Sequence, residues 1–273
     1  MATPIGNLGD VTLRALDLLA HVDVVACEDT RVTGKLLRRH GIEARLTPYH
    51  EHNAERARPT LLRRIAAGES VALVSDAGTP LVSDPGYKLV QEAIAAGLRV
   101  TALPGASAML TALQLSGLPT DRFLFAGFLP RREGERQAAL AALAAVPATL
   151  IFYETAPRLA AALAALEAVL GDRPAAVARE LTKLFEEVRR DRLSALARHY
   201  AEAGPPRGEI AIVVAPPAAP VAIAAEDIER RLAEALAETS LKDAVARVTA
   251  ETGRPRREIY GMALALAKSG AGR

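Results

Sequence analysis

The stretch from Val71 to Ile94 permits few folds. Val71-Ala72-Leu73-Val74 is a short apolar run of strand character, and Tyr87-Lys88-Leu89-Val90-Gln91-Glu92-Ala93-Ile94 carries its apolar residues at helical spacing. Between them lies Ser75-Asp76-Ala77-Gly78-Thr79-Pro80-Leu81-Val82-Ser83-Asp84-Pro85-Gly86, a bend containing two glycines and two prolines. A strand that turns through such a bend into a helix is the unit of an α/β sheet, and open α/β sheets bind ligands at these crossings. Glycine lets main chain approach a ligand with no Cβ in the way, proline fixes φ, and Asp76, Thr79 and Asp84 add polar groups. The bend is therefore a candidate binding loop. Its structural alternative is an ordinary βα turn with Asp84 as the helix N-cap.

The same rhythm continues along the chain. Thr3-Pro4-Ile5-Gly6-Asn7-Leu8-Gly9-Asp10 is a turn-rich loop before a helix near Val11 to Leu19, with Asp10 as its expected cap. A loop of this kind should follow a strand, and only Met1 and Ala2 are there to supply one. Val22 to Ala26 is the next strand and leaves through the charged cluster Cys27-Glu28-Asp29-Thr30-Arg31 into a helix from Val32 to Arg39. Arg45 to Tyr49 is expected as a strand, Ala54 to Ala66 as a helix, and Arg99 to Leu103 as a strand. The latter turns at Pro104-Gly105-Ala106-Ser107-Ala108 into an apolar helix ending near Gly117. Ser116-Gly117-Leu118-Pro119-Thr120 marks a boundary. Beyond it, strands are expected at Phe123–Pro130, Thr149–Tyr153, Ala175–Glu180 and Glu209–Val214, with Leu181 to Val188 as a hairpin partner and helices reaching Leu170 and spanning Leu193 to Ala203. Ala215-Pro216-Pro217-Ala218-Ala219-Pro220 is a stiff linker. Three helices follow, Ile228–Ala237, Leu241–Glu251 and Arg256–Ala267, at helix-turn-helix-like spacing. The reading is thus an α/β fold with lobes at 1–117 and 118–215 and a helical domain at 223–273.

Composition narrows the function. With 273 residues, 50% of them hydrophobic, the chain is long enough for two α/β lobes, or one large domain, with substantial cores. A net charge of +2 does not announce nucleic acid by itself, although local arginine clusters can. No apolar run approaches the roughly 20 residues of a membrane span, and Met1-Ala2-Thr3-Pro4 lacks the features of a signal peptide, so the expected location is the cytoplasm. The lone Cys27 forms no internal disulfide and reads as a buried apolar residue. His50-Glu51-His52-Asn53 places two histidines around a carboxylate, but not at the i, i+4 spacing of a helical metal pair, and no metal is expected. Residues 223–273 hold nine basic and eight acidic side chains, with Arg254, Arg256 and Arg257 as the one cluster. Packing or dimerisation there is as well supported as RNA contact.

Several of these pieces stand in one order: Ala2 to Asp10, Glu28 to Arg31, His50 to Asn53, Ser75 to Pro80 with Ser83 to Gly86, Leu103 to Ala108, Gly127-Phe128-Leu129-Pro130, Tyr153-Glu154 and Arg179-Glu180-Leu181-Thr182-Lys183. The ordered set closely resembles the bacterial 16S rRNA cytidine 2′-O-methyltransferases, a branch of the tetrapyrrole (precorrin-type) methylases. The resemblance covers nearly the whole chain, including the helical tail. It implies two α/β lobes with mixed sheets, usually in a homodimer, with S-adenosylmethionine folded into the cleft between the lobes. By this match the methionine and ribose part of the cofactor lies along Asp76, Ala77, Gly78, Thr79, Leu81 and Val82, with Pro4, Ser107 and Ala108 nearby. The second lobe contributes Phe128, Leu129, Tyr153 and Glu154, and the backbone of Gly208, Glu209 and Ile210 for the adenine. Gly78-Thr79-Pro80 stands where the wider family has Gly-Asp-Pro.

A ribose hydroxyl is a poor nucleophile, so transfer calls for a base or an oriented hydrogen bond. Lys183, Glu180, Glu28 and Asp29 are the candidates for that environment, and Arg31, Arg179, Arg131 or Arg132 for holding phosphates. The alternative for the second cluster is an ion-paired strand edge joining Arg179, Glu180 and Lys183. The implied partner is 16S rRNA, in the small ribosomal subunit. One rival is a methylase for a corrin or porphyrin ring, which needs an apolar trough where this chain offers charged clusters. Another is an RNA-binding module without catalysis, against which the complete set of cofactor loops argues.

Overall fold

The computed structural model describes residues 1–218 and 225–270. Its contacts divide the chain into two compact units, Met1–Pro217 and Ala218–Arg273.

The first unit begins with α1 (Leu13–His21), β1 (Val24–Cys27), α2 (Thr30–Arg39), β2 (Leu46–Pro48), α3 (Ala54–Ala66), β3 (Val71–Val74) and α4 (Tyr87–Ala95). The three strands form a parallel sheet in the order β2-β1-β3. Its central strand, Val24-Val25-Ala26-Cys27, is apolar throughout because it is buried on both faces, as a parallel strand between helices must be. Caps set the helix starts. Thr12 Oγ1 accepts the Ala15 amide at 3.1 Å and Asp29 Oδ1 accepts the Arg31 amide at 2.8 Å. The expected cap Asp10 instead closes a single 3₁₀ turn, Leu8–Asp10, so α1 starts two residues later than its apolar pattern suggests.

A second sheet follows from α5 (Ala108–Ser116), β4 (Phe123–Phe128), α6 (Glu133–Leu143), β5 (Thr149–Thr155), α7 (Leu159–Leu170), β6 (Pro174–Arg179), β7 (Glu187–Arg192), α8 (Leu193–Ala203) and β8 (Glu209–Val214). Strand order is β4-β5-β8-β6-β7, with β4 and β5 parallel and the other pairs antiparallel, hence mixed. Alternation sorts its side chains between two cores. Leu150, Phe152, Ile210, Ile212 and Val214 pack with Leu140, Leu163, Leu166 and Leu196 of the helices on one face. Ile151, Ala211 and Val213 pack under Ala112 and Leu113 of α5 on the other. Thus α5 precedes the Ser116–Thr120 break in sequence and still belongs to the packing of the second sheet.

Two expected strands differ. Residues 99–103 form no strand; Ala2 N reaches Leu103 O at 3.4 Å, while Thr3 pairs with Gly78 in an isolated antiparallel bridge. The hairpin partner of β6 starts at Glu187 rather than near Leu181, because Glu180 (φ 49°) and Thr182 (φ 65°) adopt left-handed backbone that a strand cannot continue through.

In the second unit, α9 (Ala225–Glu238), α10 (Leu241–Thr252) and α11 (Arg256–Gly270) enclose a small core of Ile228, Leu232, Val245, Val248 and Ile259. Ser240 caps α10, and Gly253 at φ 66° ends it. The expected linker residues Ala219 and Pro220 lie outside the described residues. Among the described residues no helix is long and apolar enough to cross a membrane.

Candidate active site

The bend after β3 is held by main chain rather than by a helix cap. Thr3 and Gly78 exchange both backbone hydrogen bonds, at 2.9 and 3.0 Å, and Thr3 Oγ1 donates to the Ser75 carbonyl at 3.0 Å. Thr79 Oγ1 donates to the Ala106 carbonyl at 3.2 Å, tying the bend to the loop before α5. Gly78 sits at φ 79° with Ile5 3.3 Å from where a Cβ would be, so both its angle and its surroundings favour glycine. Leu81 (φ 74°) and Ser83 (φ 63°) adopt left-handed backbone without being glycine, a local strain the surrounding contacts must hold. The residue before α4 is Gly86, at φ 129°, with no side-chain cap. Asp84 is therefore not an N-cap.

Its carboxyl instead faces a cleft of about 610 Å³ whose walls come from both sheets. Asp76, Ala77, Gly78, Thr79 and Val82 line it from the bend, Glu28 from the end of β1, and Ser107 and Ala108 from the start of α5. Phe128, Tyr153 and Glu154 line it from the ends of β4 and β5, and Gly208, Glu209 and Ile210 from the start of β8. The lining runs from Ile5 to Ala211, so distant parts of the chain meet where two sets of strand ends face one another.

Three carboxyls on the cleft carry no salt bridge among the described residues. Asp84 is pushed up to about 6 by burial, then by the nearby charges of Glu28 and Asp76, against a hydrogen bond from Ser75. Glu28 is raised by burial and by Asp76. Asp76 is raised by burial even though it accepts the Asp29 amide at 2.9 Å. Tyr153 accepts the Met109 amide at 3.1 Å, and its ring packs edge-on to Phe125 and Phe128. Ile5, Ala178, Leu181 and Ala211 supply an apolar lining that the sequence did not single out, although Ile5 and Leu181 sit inside motifs that it did. Ser83, Asp84 and Thr155 to Pro157 were also not assigned to the cofactor.

Several expected site residues lie elsewhere. Pro4 is buried, and Leu129, 4% exposed, belongs to the core under α7. Leu81 turns toward Gly86. Glu154 does line the cleft, but its carboxylate is buried, accepting the Thr155 amide at 2.7 Å and pairing with Arg158 at 3.3 Å. Asp29 is held down to about 2, chiefly by Arg31, and serves as the α2 cap. Lys183 lies between Glu180 at 2.8 Å and Glu209 at 3.2 Å. Burial alone would lower its pKa, but the hydrogen bonds to Glu180 and Glu209 outweigh burial and raise it, so its amine stays protonated and accepts no proton. Glu180 is correspondingly lowered by Lys183. Neither lines the cleft, and Arg179 pairs with Glu187 at 2.7 Å rather than joining them. Arg31 is bound to Asp29, and Arg132 pairs with Glu135 at 3.2 Å. Arg131 borders a second concavity beside Glu154. In the second unit Arg254 pairs with Glu258 at 2.6 Å, and Arg256 and Arg257 are exposed.

Two sheets with a ligand-sized cleft at their facing strand ends define an α/β protein built to enclose a small molecule. Residues 2–197 match the model of the tetrapyrrole (corrin/porphyrin) methylases, and residues 222–267 that of the RsmI C-terminal HTH domain. The chain belongs to the tetrapyrrole methylase family. It is 55% identical to the ribosomal RNA small subunit methyltransferase I of Mesorhizobium japonicum, over 97% of this chain and 90% of that protein. To the protein of the same name from Escherichia coli O157:H7 it is 46% identical, over 96% and 92%. Among solved structures, diphthine synthase matches in fold with a TM-score of 0.61 at 21% identity, covering 78% of this chain and 87% of that one. Thermus thermophilus uroporphyrin-III C-methyltransferase, solved with S-adenyl homocysteine, matches at 0.53 and 24% identity, covering 76% and 92%.

Proposed function

We propose that the protein transfers a methyl group from S-adenosylmethionine to small-subunit ribosomal RNA, at the ribose 2′-hydroxyl of a decoding-centre cytidine in 16S rRNA. The observation that carries the reading is the cleft itself, where unpaired carboxyls from Glu28, Asp76 and Asp84 surround a partly apolar space of about 610 Å³. Such a space suits a cationic sulfonium with an apolar adenosine, and the names of the relatives supply the substrate class. The donor supplies an electrophilic methyl carbon.

The residues of the chain do the rest. Gly78 and the main chain of the bend would admit the donor closely, Tyr153 and Ile210 would flank it, and Asp76 and Glu28 would balance its charge, since all of them line the cleft. Asp84, on the cleft wall, would take the proton of the acceptor hydroxyl as the methyl group passes to its oxygen. A carboxyl near 6 is mostly ionised at neutral pH and still basic enough for that task. Fixing donor and acceptor in line is where the two walls contribute most. The decisive experiment incubates the full chain and labelled donor with 30S subunits from cells lacking this methyl group and maps the product by mass spectrometry of nucleosides. A 2′-O-methylcytidine at one position supports the reading, and a base methyl or no transfer contradicts it.

A further inference from the structure

Beside the cleft, and sharing Glu154 as a wall with it, is a second concavity of about 240 Å³, lined by Arg131, Arg136, Glu154, Arg158, Ala161 and Ala162. Its charges do not balance. Arg158 is committed to Glu154 at 3.3 Å and to the carbonyls of Leu129 at 2.7 Å and Pro130 at 3.2 Å. Arg131 and Arg136 have no carboxylate partner among the described residues. Arg136 Nη1 donates to the Arg131 carbonyl at 3.3 Å, while its Nε is buried with no acceptor. A buried guanidinium N–H without an acceptor is costly, and one arriving with an anionic ligand would satisfy it.

We propose that this concavity is a phosphate subsite, which takes a phosphodiester flanking the methylated ribose. The inference rests on the reading above, because it requires an RNA acceptor. In RNA the 2′-oxygen and its neighbouring phosphates lie on the same sugar, so an anion site one wall away from the methyl-transfer cleft fixes the register of the strand. Phosphate contacts position a nucleic acid without reading its sequence. Arg132, which the sequence suggested equally, is turned to Glu135 and is not part of the pocket.

The test uses the full chain with Arg131→Gln, Arg136→Gln and the double variant, each checked for an unchanged melting temperature. Binding to unmethylated 30S subunits is measured across a salt series, and donor binding by calorimetry. The double variant should bind subunits roughly tenfold more weakly, with the slope of log K against log salt reduced by about one, and with donor affinity unchanged. Arg136→Lys should restore the slope more than the affinity, since lysine keeps the charge and loses the fork. Unchanged subunit affinity and slope would overturn the proposal. Weaker donor binding with subunit binding intact would also overturn it, assigning the pocket to the donor's own carboxylate. If Arg136→Gln unfolds, exposed Arg131→Gln still decides. Wild-type protein that binds donor and transfers nothing to the subunit would fail the parent reading instead, and this one with it.

Discussion

The cleft and its rim contain the same kinds of residue in opposite states. Within the cleft, Glu28, Asp76 and Asp84 are unpaired and their pKa values are raised, first of all by burial. Around it, Asp29, Glu180 and Glu187 are paired with Arg31, Lys183 and Arg179 and are lowered. The rim charges hold loops in place, as do Glu154 and Glu209 of the lining through Arg158 and Lys183, whereas the three unpaired cleft carboxyls are left available to a ligand. A carboxylate kept without a partner in partly buried surroundings costs stability, and that cost marks a site more clearly than the mere presence of charge.

The largest expected effect separates these two groups. Asp84→Asn should lower single-turnover methyl transfer by about 10²-fold or more, the usual size of a lost general base, with donor affinity held within a few fold. The same variant should be more stable than wild type at neutral pH. Unfolded Asp84 ionises near 3.8 and folded Asp84 near 6, so the native state binds the extra proton between those values and wild-type stability falls as pH rises through them. After discounting for solvent screening, the gain in the variant is about 1 kcal/mol, read as a rise of a few degrees in Tm. Gly208→Ala comes next: at φ 98°, with the Glu180 side chain where the new Cβ would go, it should lower Tm by several degrees and disturb the start of β8. Lys183→Met leaves Glu180 and Glu209 without their cation and should cost a few degrees in Tm but less than tenfold in transfer. A loss as large as that of Asp84→Asn would erase the distinction between rim and cleft. Asp29→Ala should have the smallest effect on transfer, within about threefold, and lower Tm slightly through the lost cap.

The sequence exposed the strand-to-helix crossings because glycine, proline and apolar spacing are local signals. Thirteen of the cleft positions, from Asp76 in the bend to Ile210 in β8, are among those that the family resemblance implied. Which charge faces the cleft was not legible, because pairing is settled by distant partners: Lys183 meets Glu209, and Asp76 takes the amide of Asp29. Nor could the left-handed backbone at Leu81, Ser83, Glu180 and Thr182 be read, since none of them is glycine. That backbone turns Leu81 away from the cleft and delays β7 to Glu187. Arg136 escaped notice because an arginine in the first turns of a charged helix looks like solvated surface.

The most direct test of the account is the pH dependence of single-turnover transfer for wild type and Asp84→Asn. Wild type should gain rate with pH, half-maximal at about 6 and level roughly a unit above that, while the variant runs low and flat through that range. A variant that keeps both the wild-type limb and the wild-type plateau would show that the cleft carboxyl takes no proton in the reaction.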